Sequence, residues 1–231
     1  MGQHVTISGR DGNFSSYLAA PSSGRGPGIV VIQEIFGIND VMREMADRLA
    51  AQGFFALAPD LFWRLKPGIQ LTDKTDAEWK EALELMGRFD VDKGVEDIQA
   101  TIDHLRVTTG LNGKVGAVGY CLGGMLAYLT VTRTDADASV GYYGVQLPKY
   151  LGEAGNIKKP LLLHIADEDS FSSKEAQAET LKALAGNSQV TTHVYPGVDH
   201  AFARPGGKNF NAEAAELANA RTDTFFRSHL S

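Results

Sequence analysis

The chain has 231 residues, 43% of them hydrophobic and 22% charged, with a net charge of −6 and a pI near 5.5. That apolar content excludes disorder as the main state, and no apolar run reaches the roughly 20 residues that a bilayer span needs. No basic stripe is present, which argues against a nucleic-acid partner, although a small anionic substrate would need only one or two local Arg residues. Cys121 is the single cysteine, so an internal disulfide and a four-Cys metal site are both excluded. Met1-Gly2-Gln3-His4-Val5 has neither a basic nor a long apolar stretch, so no secretory signal is expected and a cytoplasmic location fits.

Taken along the chain, short apolar runs alternate with amphipathic segments. Strands are predicted at Val5–Ile7, Ser15–Ala19, Gly28–Gln33, Phe54–Ala58, Lys114–Gly119, Ser139–Tyr143, Leu161–Ile165 and Val190–Tyr195. Several are apolar throughout, as strands covered on both faces are. The first two are close enough to form a hairpin through Gly9-Arg10-Asp11-Gly12-Asn13. A helix capped by Asn39 or Asp40 would present Val41, Met45 and Leu49 on one face and end near Gly53. Further helices are predicted at Asp76–Phe89, Val91–Val107, Cys121–Thr132, Ser172–Ala185 and Asn211–Leu230. The third of these six turns Val95, Ile98, Ile102 and Leu105 inward; the last is expected to dock through Leu217, Phe225 and Phe226. Residues Leu61–Thr75 carry Pro67 and Gly68 without a clear period and read as a long surface loop near the mouth of any site. Repeated strand-then-helix order implies one α/β domain over residues 1–231, with a mostly parallel sheet of about eight strands and helices on both faces.

The strand Lys114–Gly119 runs into Gly119-Tyr120-Cys121-Leu122-Gly123, and a helix follows. This is the nucleophile-elbow pattern G-x-C-x-G, with Cys in the central place. The turn is tight, its flanking side chains would clash, and glycine relieves both clashes. A thiol there sits at a helix N-terminus, where the macrodipole and free N–H groups favour a thiolate. The Leu122 N–H points to the place where an oxyanion would form. Taken alone, a Cys between glycines also reads as a buried structural residue.

A nucleophile in this fold class needs an acid and then a base later in the chain, beyond the ends of parallel strands. Leu161–Ala166 leads into Asp167-Glu168-Asp169-Ser170, and Val190–Tyr195 leads into Pro196-Gly197-Val198-Asp199-His200. Of the six His residues, His200 is the base; His164 and His193 lie within strands and read as structural. Asp169, farther past its strand, is the acid, with Asp167 in reserve. Glu34 directly follows a buried strand, where a carboxylate must be paired or neutralised, and Arg204 is a suitable bidentate partner. A purely structural Glu34–Arg204 pair is the alternative.

The motifs Gln33-Glu34-Ile35-Phe36-Gly37, Ala58-Pro59-Asp60-Leu61-Phe62, Gly119-Tyr120-Cys121-Leu122-Gly123-Gly124, Gly141-Tyr142-Tyr143-Gly144 and His200-Ala201-Phe202-Ala203-Arg204 together resemble those of the dienelactone hydrolases (carboxymethylenebutenolidases) of the α/β-hydrolase superfamily. The resemblance implies a triad of Cys121, Asp169 and His200, with Glu34 pairing with the resting Cys and helping to generate the thiolate. It further implies an oxyanion hole from the N–H groups of Ile35 and Leu122, substrate-carboxylate binding by Arg204, and a pocket lined by Tyr142 and Phe36. It departs on the helix Asp76–Phe89. Aligned on Phe89-Asp90, Trp79 stands where the dienelactone-cleaving members carry a second arginine, and Leu83 and Met86 stand where they carry Tyr and Trp. The pocket is therefore expected to be more apolar, with Trp79 in its wall or else in ordinary helix core.

The expected chemistry is hydrolysis of activated esters or enol-lactones through a thioester, with no metal or organic cofactor. The expected partner is a small ester or lactone, bound by a monomer or weak dimer. The rival readings are a generalist aryl-ester, carboxylester or activated phosphoester hydrolase on the same triad, and a thiol redox sensor that needs neither Asp169 nor His200.

Overall fold

The computed structural model describes residues 2–231. Eight strands form one sheet: β1 (Gln3–Gly9), β2 (Gly12–Ala19), β3 (Gly26–Ile32), β4 (Phe55–Pro59), β5 (Leu111–Tyr120), β6 (Ala138–Tyr142), β7 (Leu161–Ala166) and β8 (Val190–Tyr195). Their spatial order is β1-β2-β4-β3-β5-β6-β7-β8. The β1–β2 hairpin is antiparallel and joins β4 antiparallel, while every other pairing is parallel. Strand order reverses at β3, which has β4 on one side and β5 on the other. Such a switch point opens a crevice at the carboxyl ends of the two diverging strands, where α/β sheets bind ligands.

Six α-helices cover the sheet: α1 (Asp40–Ala51), α2 (Asp76–Arg88), α3 (Val91–Arg106), α4 (Leu122–Arg133), α5 (Lys174–Leu184) and α6 (Ala212–Leu230). Side-chain caps start five of them, as with Asn39 accepting from the Met42 amide. Thr75 caps α2, its hydroxyl accepting from the Glu78 amide and donating to the Glu78 carboxylate. Helix α4 has no side-chain cap, and Cys121 stands in the cap position. Helices α1 and α6 are tied to each other by Arg48 to Asn219 and Arg227 to the Gln52 carbonyl, while α3 packs against α4.

Four details differ from what the sequence implies. In α1, Met42 is buried with Met45 and Leu49, whereas Val41 is only half-buried. Leu217 does not dock and is 46% exposed; Phe226 does dock as expected, with Ala215, Ala218 and Leu230, and Phe225 is partly buried against the core. The residues 61–75 are irregular as expected, but they are no simple surface loop. Leu61, Phe62, Ile69 and Leu71 are buried, and Trp63 Nε1 and Arg64 both donate to the buried Asp97 on α3, at 2.9 and 3.0 Å. A 3₁₀ helix at Leu147–Asn156 had no clear periodic signal.

Candidate active site

Cys121 lies at the β5–α4 turn with φ 58° and ψ −114°, a backbone that lifts its side chain out of the sheet. Glycine permits this turn. A Cβ on Gly119 would stand 1.9 Å from the Gly123 carbonyl oxygen, and one on Gly123 would stand 2.4 Å from that of Ile32. The strained residue is held from both sides: its amide donates to the Tyr142 carbonyl at 3.1 Å, and its carbonyl accepts from the Val145 amide at 3.3 Å. Leu122 opens α4, so its N–H belongs to the helix turn that lacks intrahelical acceptors.

The loops after β7 and β8 bring Asp169 and His200 together. Both carboxylate oxygens of Asp169 lie 3.0 Å from His200 Nδ1, which donates because an ionised carboxylate only accepts. Asp199 stitches the two loops: its Oδ1 accepts from the amides of Ser170 and His200 at 2.7 and 2.6 Å. Cys121 and the His200 ring border the same cavity, and Cys121 is near enough to act electrostatically on the imidazole. Burial works against a charged imidazole there. The charge at Cys121 and the Asp169 hydrogen bond outweigh it, and the His200 pKa is pushed up to about 10. Asp167, the reserve acid, instead pairs with Lys174 at 2.7 Å on the surface. His164 is structural, bonded to Tyr195 and Thr222 at 2.8 and 2.9 Å, and burial drives its pKa well below the ordinary value.

Glu34 follows β3 and is buried. Arg204 grips it through two hydrogen bonds, from Nε at 2.7 Å and from Nη2 at 3.1 Å. Nη1 of the same guanidinium donates to Asp73 at 2.7 Å. Burial disfavours the Arg204 charge, but Glu34 more than compensates and its pKa is raised. Glu34 is thus committed to Arg204, not to Cys121 as the resemblance implied. A bidentate charge-assisted contact satisfies both buried groups at once.

These groups border a cavity of about 230 Å³. Cys121, His200 and Arg204 form its floor with Ile35 and Phe36, and Trp79, Leu83 and Met86 of α2 form one wall. Val145, Gln146 and Phe171 complete the lining. Trp79 belongs to the wall: it meets Phe36 edge-on at 5.2 Å and lies parallel to Phe171, 6.3 Å away. Phe171, half-exposed and 4.7 Å from the His200 ring, had no signal in the sequence beyond its place in the acid loop. Tyr142 does not line the cavity. Its hydroxyl bonds Thr222 and Asn219 on the opposite side of the sheet, at 2.6 and 3.1 Å. Tyr143, one residue past the end of β6 with a left-handed backbone (φ 38°), is the one that reaches the site, with its ring 5.1 Å from that of His200. Among the described residues, no group of three His, Cys, Asp or Glu side chains is placed to hold a metal ion, and no helix is long and apolar enough to cross a membrane.

The model of the dienelactone hydrolase family matches residues 14–230. A protein of Azospirillum brasilense provisionally named carboxymethylenebutenolidase is 52% identical over 224 residues, covering 96% of each chain. Carboxymethylenebutenolidase 1 of Cupriavidus pinatubonensis is 39% identical over 219 residues, covering 94% of this chain and 93% of its own. In structure, a provisionally named dienelactone hydrolase of Klebsiella pneumoniae superimposes with a TM-score of 0.87, at 24% identity and 99% coverage of both chains, which establishes the α/β-hydrolase fold. With a family model spanning nearly its whole length and relatives this similar, the chain belongs to the dienelactone hydrolase family, as a hydrolase of esters or lactones.

Proposed function

We propose that the chain hydrolyses activated esters or enol-lactones by acyl transfer through Cys121. The observation that carries this reading is the convergence of three chain segments: the elbow thiol at the N-terminal end of α4, the loop after β8 that brings His200 to the same cavity, and the loop after β7 whose Asp169 holds the His200 ring. The Cys121 thiolate attacks the carbonyl carbon, and its lone pair forms the C–S bond as the C=O π pair moves to oxygen. The amides of Ile35 and Leu122 hold that oxyanion; loss of one such donor costs about 3–4 kcal/mol of barrier. The C–O bond then breaks, and the His200 imidazolium gives its proton to the leaving oxygen. Neutral His200 next takes a proton from water as the water oxygen attacks the thioester carbonyl. The C–S bond breaks, and the acid product departs with the thiolate and imidazolium restored.

A thiolate is itself a good leaving group, so an adduct carrying a poor alkoxide collapses backward. Enolates and phenolates leave readily, which makes aryl esters and enol-lactones the natural substrates and simple alkyl esters slow ones. Trp79, Leu83 and Met86 in the wall favour apolar aryl substrates over a doubly clamped dienelactone.

The test is hydrolysis of an aryl ester and of a dienelactone by the native protein and Cys121→Ala, with acid-quenched intact mass spectra. Turnover of the aryl ester, lost in the variant, with an acyl mass on the native chain, is expected. Full turnover after alkylation of Cys121 would overturn the reading.

A further inference from the structure

The guanidinium of Arg204 separates two cavities. On one side lies the Cys121 cavity, on the other a polar one of about 250 Å³ bordered by Asn39, Gln70, Thr72, Asp73 and Lys74. Asp73 reaches Arg204 from this second side, at 2.7 Å from Nη1, while Glu34 takes Nε and Nη2. Asp73 is itself fixed, because its carbonyl accepts from Trp79 Nε1 at 3.0 Å. One cation therefore faces two carboxylates, both at short range, and the cluster carries a net charge of −1. Among the described residues lining the Cys121 cavity, Arg204 and His200 are the only ones with a cationic form. His200 is committed to Asp169.

We propose that Asp73 determines the charge of the substrate: by quenching Arg204 from behind, it makes this an active site for uncharged, flat, apolar esters and sets it against carboxylate-bearing ones. The proposal rests on the hydrolytic reading above and names the substrate class of that same site. An entering carboxylate would find Arg204 already bonded to two others, in a cavity whose dry walls strengthen like-charge repulsion. An uncharged aryl or alkyl group loses nothing there. The parallel rings of Trp79 and Phe171, 6.3 Å apart at the rim, suit a flat apolar group.

The experiment compares mono-(4-nitrophenyl) adipate with its methyl ester, a pair that differs only in the distal charge. The native protein is expected to favour the methyl ester in kcat/KM by about tenfold or more. Asp73→Asn is expected to cut that preference by about tenfold, and Asp73→Glu to retain it. A purely structural role for Asp73 would lower both substrates together and leave their ratio unchanged, which overturns the proposal. So does a native preference for the acid. A second arm does not depend on turnover: calorimetric binding of 4-phenylbutyrate and its methyl ester to Cys121→Ala, with and without Asp73→Asn. Tighter binding of the ester, narrowed by Asp73→Asn, supports the assignment even if hydrolysis fails; equal binding in both proteins overturns it.

Discussion

Asp169 brackets Nδ1 of His200 with both carboxylate oxygens at 3.0 Å, while its Oδ1 also accepts the Phe171 amide at 2.9 Å. Those contacts set the tautomer and the ring plane together, leaving Nε2 as the nitrogen free for Cys121 and the leaving oxygen. Asp169→Asn keeps the shape but removes the charge that steadies an imidazolium. The expected outcome is a fall of about 10²–10⁴-fold in kcat/KM for an aryl ester, with the circular dichroism spectrum unchanged. Asp167→Asn, which disturbs only a surface pair with Lys174, is expected to leave kcat/KM near the native value.

The His200 proton is expected to persist well above neutrality. Its pKa is raised from 6.5 to about 10, with Cys121 the foremost of the causes that raise it. Because the folded value lies above the unfolded one, the stability that this proton contributes is complete below about pH 6.5 and is lost as pH climbs toward 10. Imidazole NMR resonances across pH 5–11 read it directly. In Cys121→Ala the midpoint is expected to move down; a native midpoint at the ordinary value would contradict a pKa raised by Cys121 and Asp169.

The elbow glycines are expected to be sterically irreplaceable. At Gly119 and Gly123 the added Cβ would fall 1.9 and 2.4 Å from rigid backbone oxygens. Gly119→Ala is expected to lose about 1–3 kcal/mol or more in urea denaturation and to lower activity by displacing Cys121. Gly152→Ala, where a Cβ meets nothing within 4 Å, serves as the comparison.

Arg204 holds two carboxylates, one of them deeply buried. Arg204→Met fills similar volume but leaves Glu34 without its partner beside Asp73. The expected cost is about 3–5 kcal/mol in urea denaturation, because an uncompensated buried charge remains. Glu34→Gln, which leaves Arg204 paired with Asp73, is expected to cost less.

Strand and helix order was legible because apolar runs and 3.6-residue periods are local. Val95, Ile98, Ile102 and Leu105 on α3 fell inward as their spacing implied. The irregular residues 61–75 were harder, since Trp63 and Arg64 find their acceptor on Asp97, more than thirty residues away. Leu217 read as an anchor by hydrophobicity alone. Its exposure follows from the side of α6 that turns to solvent.

The pattern of this one chain by itself determined an eight-stranded α/β architecture, an elbow thiol between obligatory glycines, and an Asp and a His that pair from the loops after β7 and β8. The place of each in the chain depends on neighbours a few residues apart. Which tyrosine faces the site, the reach of Phe171 over His200, and the sharing of Arg204 between Glu34 and Asp73 were decided only by tertiary packing. Arg204 is 170 residues from Glu34 and 131 from Asp73, and no local period encodes a contact across such distances. Those long-range pairings form because buried charges must find partners once the sheet and its loops have closed around them.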